Sequence, residues 1–162
     1  EDTFTASSIS KSDSRAAIPN THTLNVTTKT VIPTSGAILI VALLNHYAGS
    51  SINSDTKVYL NNTLVIGTSV SQPSLNTFVI TNALLSGANS GTSISVQLSN
   101  MRNPVAVNTP SSSYFIRTAT AEVYGIDAVT TGLTVTSTDP GNVTINSFLP
   151  RYSSDITEIY PG

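Results

Sequence analysis

The sequence has no cysteine and no tryptophan, and only 10% of its 162 residues are charged. The absence of cysteine excludes a disulfide-stabilised scaffold and a thiol nucleophile. The chain also has only two histidines, so the common ligands of a zinc site are too few. Soluble domains ordinarily carry about 25% charged residues, and charge keeps monomers apart in solution. The low charge therefore predicts a surface that is covered by glycans or by neighbouring subunits.

Basic residues and long apolar segments are also scarce. Seven Lys and Arg are scattered along a chain of net charge −2, which predicts no nucleic-acid partner. The longest apolar run, residues 37–44, is too short to span a bilayer, so no membrane span is expected. The first residue is Glu1 and the single methionine is Met101, which predicts removal of a secretion signal and an extracellular or cell-surface location.

What the chain has in abundance is hydroxyl and β-branched side chains, with 24 Ser and 24 Thr. Helical periodicity is nearly absent, whereas alternation is clear where Ile94, Val96 and Leu98 are separated by polar residues. Short alternating runs divided by turn signals predict an all-β, Ig-like β-sandwich of about seven to nine strands with an N-terminal extension strand. The predicted strands cover residues 23–32, 37–45, 57–60, 63–69, 76–82, 92–99, 113–124, 133–138 and 143–149.

Several local signals refine this prediction. Asn61-Asn62 reads as a tight hairpin turn because Asn tolerates a positive φ angle, and residues 139–142 (DPGN) are a second strong turn signal. Residues 37–44 are apolar on both faces, which is typical of a central strand covered on both sides. Residues 83–85 (ALL) are candidates for a short helical turn.

The two ends differ from the middle in composition. We divide the chain into an N-terminal arm (residues 1–20), a β-sandwich (residues 21–149) and a C-terminal docking tail (residues 150–162) whose Tyr and Ile residues suit a packed segment. In the arm, residues 1–10 read as an isolated strand with Phe4 and Ala6 on one face, and residues 11–20 as a polar spacer.

Catalytic motifs are missing. No Gly-x-Ser-x-Gly elbow is present, His46 reads as a strand-end hydrogen-bonding residue, and His22 reads as an exposed strand residue. The Asn and Asp clusters at residues 53–55 and 139–142 suit Asx-type turns better than calcium ligation. The sequence thus predicts no enzyme activity, no cofactor and no metal.

The sequence offers candidate residues for two kinds of covalent modification. Sequons at Asn25, Asn61 and Asn142 are candidate sites for covalent glycans. Glu122 reads as an outward-facing strand residue, with a second interpretation as the proton shuttle of a Lys–Asn isopeptide crosslink that uses Lys29 or Lys57. The tyrosines are dispersed along the chain, so the sequence does not support a platform of aromatic rings that stacks on sugar rings.

Three stretches resemble a family of Ig-like modules found in extracellular surface proteins of ciliates and other protists. They are PTSGAILI (residues 33–40), VQLSNMRNP (96–104) and TPSSSYFIRT (109–118) followed by GID (125–127). The resemblance covers residues 22–137 and implies an Ig-like sandwich. Such modules often contain cysteine and occur in tandem, whereas this chain has one module and no cysteine.

A single module with an extra N-terminal strand also resembles pilus-type fibril subunits that assemble by donor-strand exchange. The resemblance implies an open sandwich whose missing strand comes from a neighbour, which protects an otherwise exposed sheet edge. Self-closure by the same segment is the alternative. The residues that would form the donor strand are Thr3, Phe4, Thr5, Ala6, Ser7, Ser8 and Ile9.

These observations predict a structural subunit of an extracellular, pilus-like fibril that forms a helical homopolymer with other copies of itself. A closed viral coat would share the low charge and high Thr content. A monomeric secreted module that binds glycans or another ligand is the alternative of a different class.

Overall fold

The described part of the chain contains twelve short strands and one helical turn. The computed structural model describes residues 1–42, 47–104, 111–122 and 124–138. The strands are β1 (Asp2–Thr3), β2 (Ala6–Lys11), β3 (Pro19–Thr27), β4 (Gly36–Ala42), β5 (Thr56–Leu60), β6 (Thr63–Leu64), β7 (Ser69–Ser74), β8 (Thr77–Leu84), β9 (Ser93–Arg102), β10 (Ser111–Ala119), β11 (Gly125–Ala128) and β12 (Leu133–Val135). The helical turn α1 (Ile52–Asp55) precedes β5. No helix in the described ranges is long and apolar enough to cross a membrane.

The strands form two sheets. Sheet A has the order β1-β11-β10-β4-β8-β7, with β12 also paired to β10, and sheet B has the order β2-β3-β9-β5-β6. Neighbours are antiparallel except β1, which runs parallel to β11. The predicted all-β sandwich is therefore confirmed. The strand number exceeds the expected seven to nine because the arm contributes two strands and irregularities divide longer ones.

The core lies between the sheets and follows the alternation read from the sequence. In β9, Ile94, Val96 and Leu98 are fully buried while the intervening Ser and Gln side chains are half-exposed. Facing them from sheet A, Ile38 and Ile40 of β4 are also fully buried. As predicted, β4 is central in its sheet, between β10 and β8. Its outer face is less covered, since Val41 is 36% exposed.

Strand ends depart from the predictions where backbone groups find other partners. β3 begins at Pro19 and ends at Thr27. It ends before the predicted Ile32 because the backbone N–H groups of Lys29 and Thr30 donate to the Asp127 side chain and not to the backbone of a paired strand. The predicted strand 113–124 ends at Ala119, since a turn reverses the chain through the hydrogen bond from Thr120 N–H to the Tyr124 carbonyl. The returning chain forms β11.

Two further predictions were wrong in detail. The strand expected over residues 63–69 divides, because the chain leaves sheet B after Leu64, and Gly67 has a φ of 83°. β7 then begins at Ser69 in sheet A. Residues 83–85 form no helical turn, since Ala83 and Leu84 complete β8 and are buried. The predicted strand at residues 143–149 lies outside the described residues.

Candidate functional site: the N-terminal arm and its anchorage

The arm pairs with its own chain and contributes a strand to each sheet. β1 lies parallel to β11, with Asp2 opposite Asp127. β2 lies antiparallel to β3 over six residue pairs, from Ala6 opposite Thr27 to Lys11 opposite His22. Of the two arrangements that the sequence leaves open, the single chain adopts self-closure. β2 occupies an edge of sheet B.

The arm crosses from one sheet to the other at Phe4 and Thr5. Phe4 N–H donates to the Ala128 carbonyl of sheet A at 3.3 Å, and Thr5 N–H donates to the Thr27 carbonyl of sheet B at 3.0 Å. The Phe4 side chain is 6% exposed and belongs to the core. This crossing makes Phe4 the apolar anchor of the arm.

The predicted face of the arm needs a correction. Ala6 was expected beside Phe4 but is exposed, because the chain changes sheets between the two residues and the alternation is interrupted. Ile9 takes the second apolar position, where it is half-buried against the core. The remaining proposed donor residues, Thr3, Thr5, Ser7 and Ser8, are exposed.

Polar contacts attach both strands of the arm to neighbouring connections of the chain. The Asp2 carboxylate accepts from the Lys29 amine at 3.0 Å and from the Thr30 hydroxyl at 3.1 Å. The hydrogen bond from Lys29 is the main reason why the pKa of Asp2 is lowered. From β2, the Lys11 amine donates to the Thr136 carbonyl, just after β12.

The described contacts give no support to a Lys–Asn isopeptide crosslink with Lys29 as the amine and Glu122 as the proton shuttle. The Lys29 amine is paired with Asp2. Glu122 is exposed, and it lies in the turn between β10 and β11 and not within a strand as predicted. Lys57, the other proposed amine, is an exposed residue of β5.

A buried polar cluster holds the linker, which we define as residues 12–18 between β2 and β3. The Asn103 Nδ2 donates to the carbonyls of Asp13 and Arg15, both at 2.8 Å. Its Oδ1 lies 3.0 Å from Nε2 of His22, whose Nδ1 lies 2.7 Å from the Tyr114 hydroxyl. His22, Asn103 and Tyr114 are each at most 1% exposed, so the prediction of an exposed His22 was wrong.

The protons of this cluster follow from its geometry. Because Asn103 donates through Nδ2 to two carbonyls, its Oδ1 acts as acceptor, and His22 Nε2 must carry a hydrogen. In the neutral ring Nδ1 is then an acceptor, and the Tyr114 O–H donates to it. Burial raises the pKa of the Tyr114 hydroxyl, so Tyr114 keeps its proton.

Further contacts restrain the linker. Ala17 N–H donates to the Pro104 carbonyl at 3.3 Å, and Thr138 N–H donates to the Ser14 carbonyl at 3.1 Å. Asp13 and Arg15 form an exposed ion pair at 2.6 Å, and hydrogen bonding to Arg15 lowers the pKa of Asp13 to about 2. The linker is therefore attached to the sandwich along its length.

Two of the three sequons lie in the described chain. Asn61 is exposed in the β5–β6 turn, and its Oδ1 accepts from Ser93 N–H at 2.9 Å. A glycan would attach through Nδ2, which leaves this hydrogen bond possible. Asn25 is half-buried in the middle of β3. Asn142 lies outside the described residues, as do His46, residues 139–142 and the tail at residues 150–162.

Oxygen clusters considered for calcium are engaged with the protein itself. The Asn53 Oδ1 accepts from Val70 N–H at 2.6 Å, and an Asp55 carboxylate oxygen accepts from the Tyr47 hydroxyl at 2.7 Å. Desolvation, followed by this bond to Asp55, raises the pKa of Tyr47 to about 12. In the described part of the chain, no three His, Cys, Asp or Glu residues come together as a metal-binding group.

Comparisons with known proteins give only distant likenesses. No protein-family model matches the sequence, and no curated protein matches it. BslA, a bacterial hydrophobin, is 14% identical, with 83% of this chain and 96% of that chain covered at a TM-score of 0.47. The pilus backbone protein RrgB from Streptococcus pneumoniae is 6% identical at a TM-score of 0.42, with 70% of this chain but 51% of that chain covered.

A third structure, of AvmM, which catalyses macrocyclisation in alchivemycin A biosynthesis, is 9% identical at a TM-score of 0.36, with 90% and 93% covered. A hydrophobin, a pilus backbone protein and a biosynthetic catalyst have three different roles. With every TM-score below 0.5, these likenesses carry no argument about the function of this chain. Any functional conclusion depends on its own residues.

Proposed function

We propose that the protein is a non-catalytic structural subunit of an extracellular, fibril-like polymer, joined to its neighbours by exchange of the N-terminal strand. The observation that supports this is the position of the arm. β1 and β2 each supply an edge strand to one sheet, and the arm adds the core side chain Phe4. The covalent connection from these strands to β3 consists of the linker alone. In a neighbour, the same segment would occupy the same position with the same contacts.

The geometry of such an exchange favours a linear polymer. Each chain has one arm and one slot, formed by the edge of β3 and the core position of Phe4. The arm of one subunit entering the slot of the next is a head-to-tail contact, which forms filaments where the rotation does not close a ring. Main-chain hydrogen bonds along β2 would supply affinity, and Phe4 with Ile9 would set the register.

The composition supports the same proposal. A chain with 10% charged residues and 48 Ser and Thr has little charge to keep monomers apart. Contacts with neighbouring subunits and glycans at the exposed Asn61 would cover such a surface. We propose that the function resides in the assembly and that the chain acts outside the cell.

Disulfide trapping tests the exchange, because the native chain has no cysteine to interfere. Ser10 and Thr23 face each other across β2 and β3, about 5 Å apart at their Cα atoms, which suits a disulfide. One chain carries S10C and the other T23C, and the two are mixed, incubated at high concentration and oxidised. The disulfide between an S10C chain and a T23C chain is expected in excess over random pairing, since the two thiols face each other when the arm of one chain lies in another.

The double variant S10C/T23C is the matched control. On dilution before oxidation it should give an intramolecular disulfide, which shows that the pair has suitable geometry. Strand exchange would be refuted if the S10C–T23C disulfide were no more frequent than random collision of the two thiols gives, while the double variant closes readily within one chain.

The alternative, a monomeric ligand-binding module, is favoured by a different observation. The outer face of sheet A carries a groove of about 380 Å³ that is lined mainly by apolar side chains, with Leu39, Val41 and Phe115 among them and Arg117 and Glu1 at its side. Among the described residues its lining contains no tyrosine, so it suits an apolar ligand better than a sugar ring. Exclusive self-closure in the trapping experiment would support this function.

A further inference from the structure

We propose that His22, Asn103 and Tyr114 form an acid-sensitive latch that keeps the arm in its own sandwich and releases the linker when His22 is protonated. The inference rests on the proposed strand exchange, since it names the device that regulates it. The linker is the hinge of any exchange, because residues 12–18 must change direction when β2 leaves β3. The three latch residues are buried beneath this hinge, and one of them, Asn103, donates to two of its carbonyls.

The latch hydrogen bonds are all satisfied only with a neutral imidazole. In that state Nε2–H donates to Asn103, and Nδ1 accepts from the Tyr114 hydroxyl. A protonated ring carries a hydrogen on both nitrogens, so Nδ1–H would need the Tyr114 oxygen as acceptor. The Tyr114 O–H would then have to turn away from its partner inside the core, where an unmade hydrogen bond is costly.

Asn103 transmits this change to the linker. Its Oδ1 is held by His22, and its Nδ2 is held by the carbonyls of Asp13 and Arg15. Both ends belong to one planar amide, so a shift of the ring moves the donor away from the two carbonyls. The linker would lose the two hydrogen bonds that Asn103 makes to its first half.

Two of the titratable groups near the latch, Asp13 and Tyr114, keep one protonation state across the relevant range. On the elements packed against His22, the described titratable groups are Lys11 on β2, Arg102 on β9, Tyr114 and Arg117 on β10, and Asp13 and Arg15 on the linker. Asp13 stays ionised because its pKa is lowered to about 2, and Tyr114 stays protonated. An ordinary imidazole takes up its proton near pH 6.5.

Hydrogen exchange measures the latch directly in the native chain. The backbone amides of Ser12 and Ala17 donate to Thr21 and Pro104, and their protection factors report on linker opening after correction for intrinsic pH dependence. We expect protection to fall at least about tenfold between pH 7.5 and pH 5.5, as one lost buried hydrogen bond implies. The amides in the middle of β9 should change little over the same interval.

Variants assign the effect to these residues. N103A should lower protection of Ser12 and Ala17 at both pH values, because the clamp on the linker is gone. H22Q should remove the pH dependence, since glutamine takes up no proton in this range. The second histidine gives the matched control, and H46Q should respond to acid as the native chain does. If H22Q does not fold, the comparison of the native chain with H46Q still decides the question.

The results separate the latch from the exchange. Equal linker protection at pH 7.5 and pH 5.5, or an acid response that H46Q abolishes, would overturn the latch. Incubation of the S10C and T23C chains at pH 5.5, followed by oxidation at pH 7.5, should increase the disulfide between chains relative to incubation at pH 7.5. Reduced linker protection without any such disulfide would support the latch while refuting strand exchange.

Discussion

At the residue scale, one carboxylate determines where the connection between β3 and β4 runs. Asp127 is fully buried, and one of its oxygens accepts from the backbone N–H groups of Lys29 and Thr30 at 2.8 and 3.1 Å. D127A should therefore destabilise the chain by about 2 kcal/mol, because two donors lose their partner.

Urea unfolding followed by circular dichroism measures this difference. The matched control is E122A, whose carboxylate is exposed in the neighbouring turn and should change stability by less than about 0.5 kcal/mol. Equal stabilities of D127A and the native chain would show that the connection is held by other contacts.

The burial of His22 could have been predicted from the alternation of β3, but the residue type favoured an exposed position. In β3 the side chains at 22, 24 and 26 share one face, and Leu24 and Val26 identify that face as apolar. Histidine among threonines reads as exposed on composition alone. The sequence could not identify the hydrogen-bond partners of His22, since Asn103 and Tyr114 are distant in sequence and only the fold brings them together.

At the element scale, the β5–β6 hairpin depends on two adjacent asparagines with positive φ angles. Asn61 and Asn62 have φ of 48° and 65°, which asparagine and glycine adopt at low cost. N62V should destabilise the chain by about 1–3 kcal/mol, because β-branched residues are strained in this region. N62G should keep or raise the stability.

Thermal unfolding of the three chains gives the order of stabilities. T63V tests for a general effect of valine at this hairpin, and it should be nearly neutral because Thr63 is an exposed strand residue. A loss of stability in T63V as large as that in N62V would mean that turn geometry is not the cause.

Elements with an internal pattern could be predicted, and elements made by their neighbours could not. β4 has a continuous apolar run, and β9 has an apolar alternation. The β5–β6 turn has two asparagines that suit its positive φ angles. β7 is polar apart from Val70 and contains Pro73, so it lacks a strand pattern and forms an edge by pairing with β8. The crossing of the arm at Phe4 likewise depends on the presence of both sheets.

At the scale of the whole molecule, the arm closes the sandwich that the rest of the chain forms. Without residues 1–11, the edge of β3 would lack its partner and the core would lose Phe4. The slot so exposed is long enough for six residue pairs. If strand exchange is the mode of assembly, this slot must accept the segment when it is supplied by another molecule.

Strand complementation tests that requirement. A chain that begins at Ser12 is refolded with and without a synthetic peptide of residues 1–11, and thermal unfolding is followed over peptide concentration. The truncated chain alone should be less stable and aggregation-prone, because an edge and part of the core are open. Added peptide should raise the unfolding temperature in a concentration-dependent manner, since it binds the folded state.

Two peptide variants distinguish insertion from loose association. A peptide with F4A loses the one side chain of the segment that is almost fully buried, so it should bind about a hundredfold more weakly, in line with about 3 kcal/mol for Phe→Ala in a core. A peptide with S7A should bind as the native sequence does, because Ser7 is exposed. Equal affinities of the F4A and S7A peptides would place the peptide on the surface, and a truncated chain as stable as the full one would show that no slot is open.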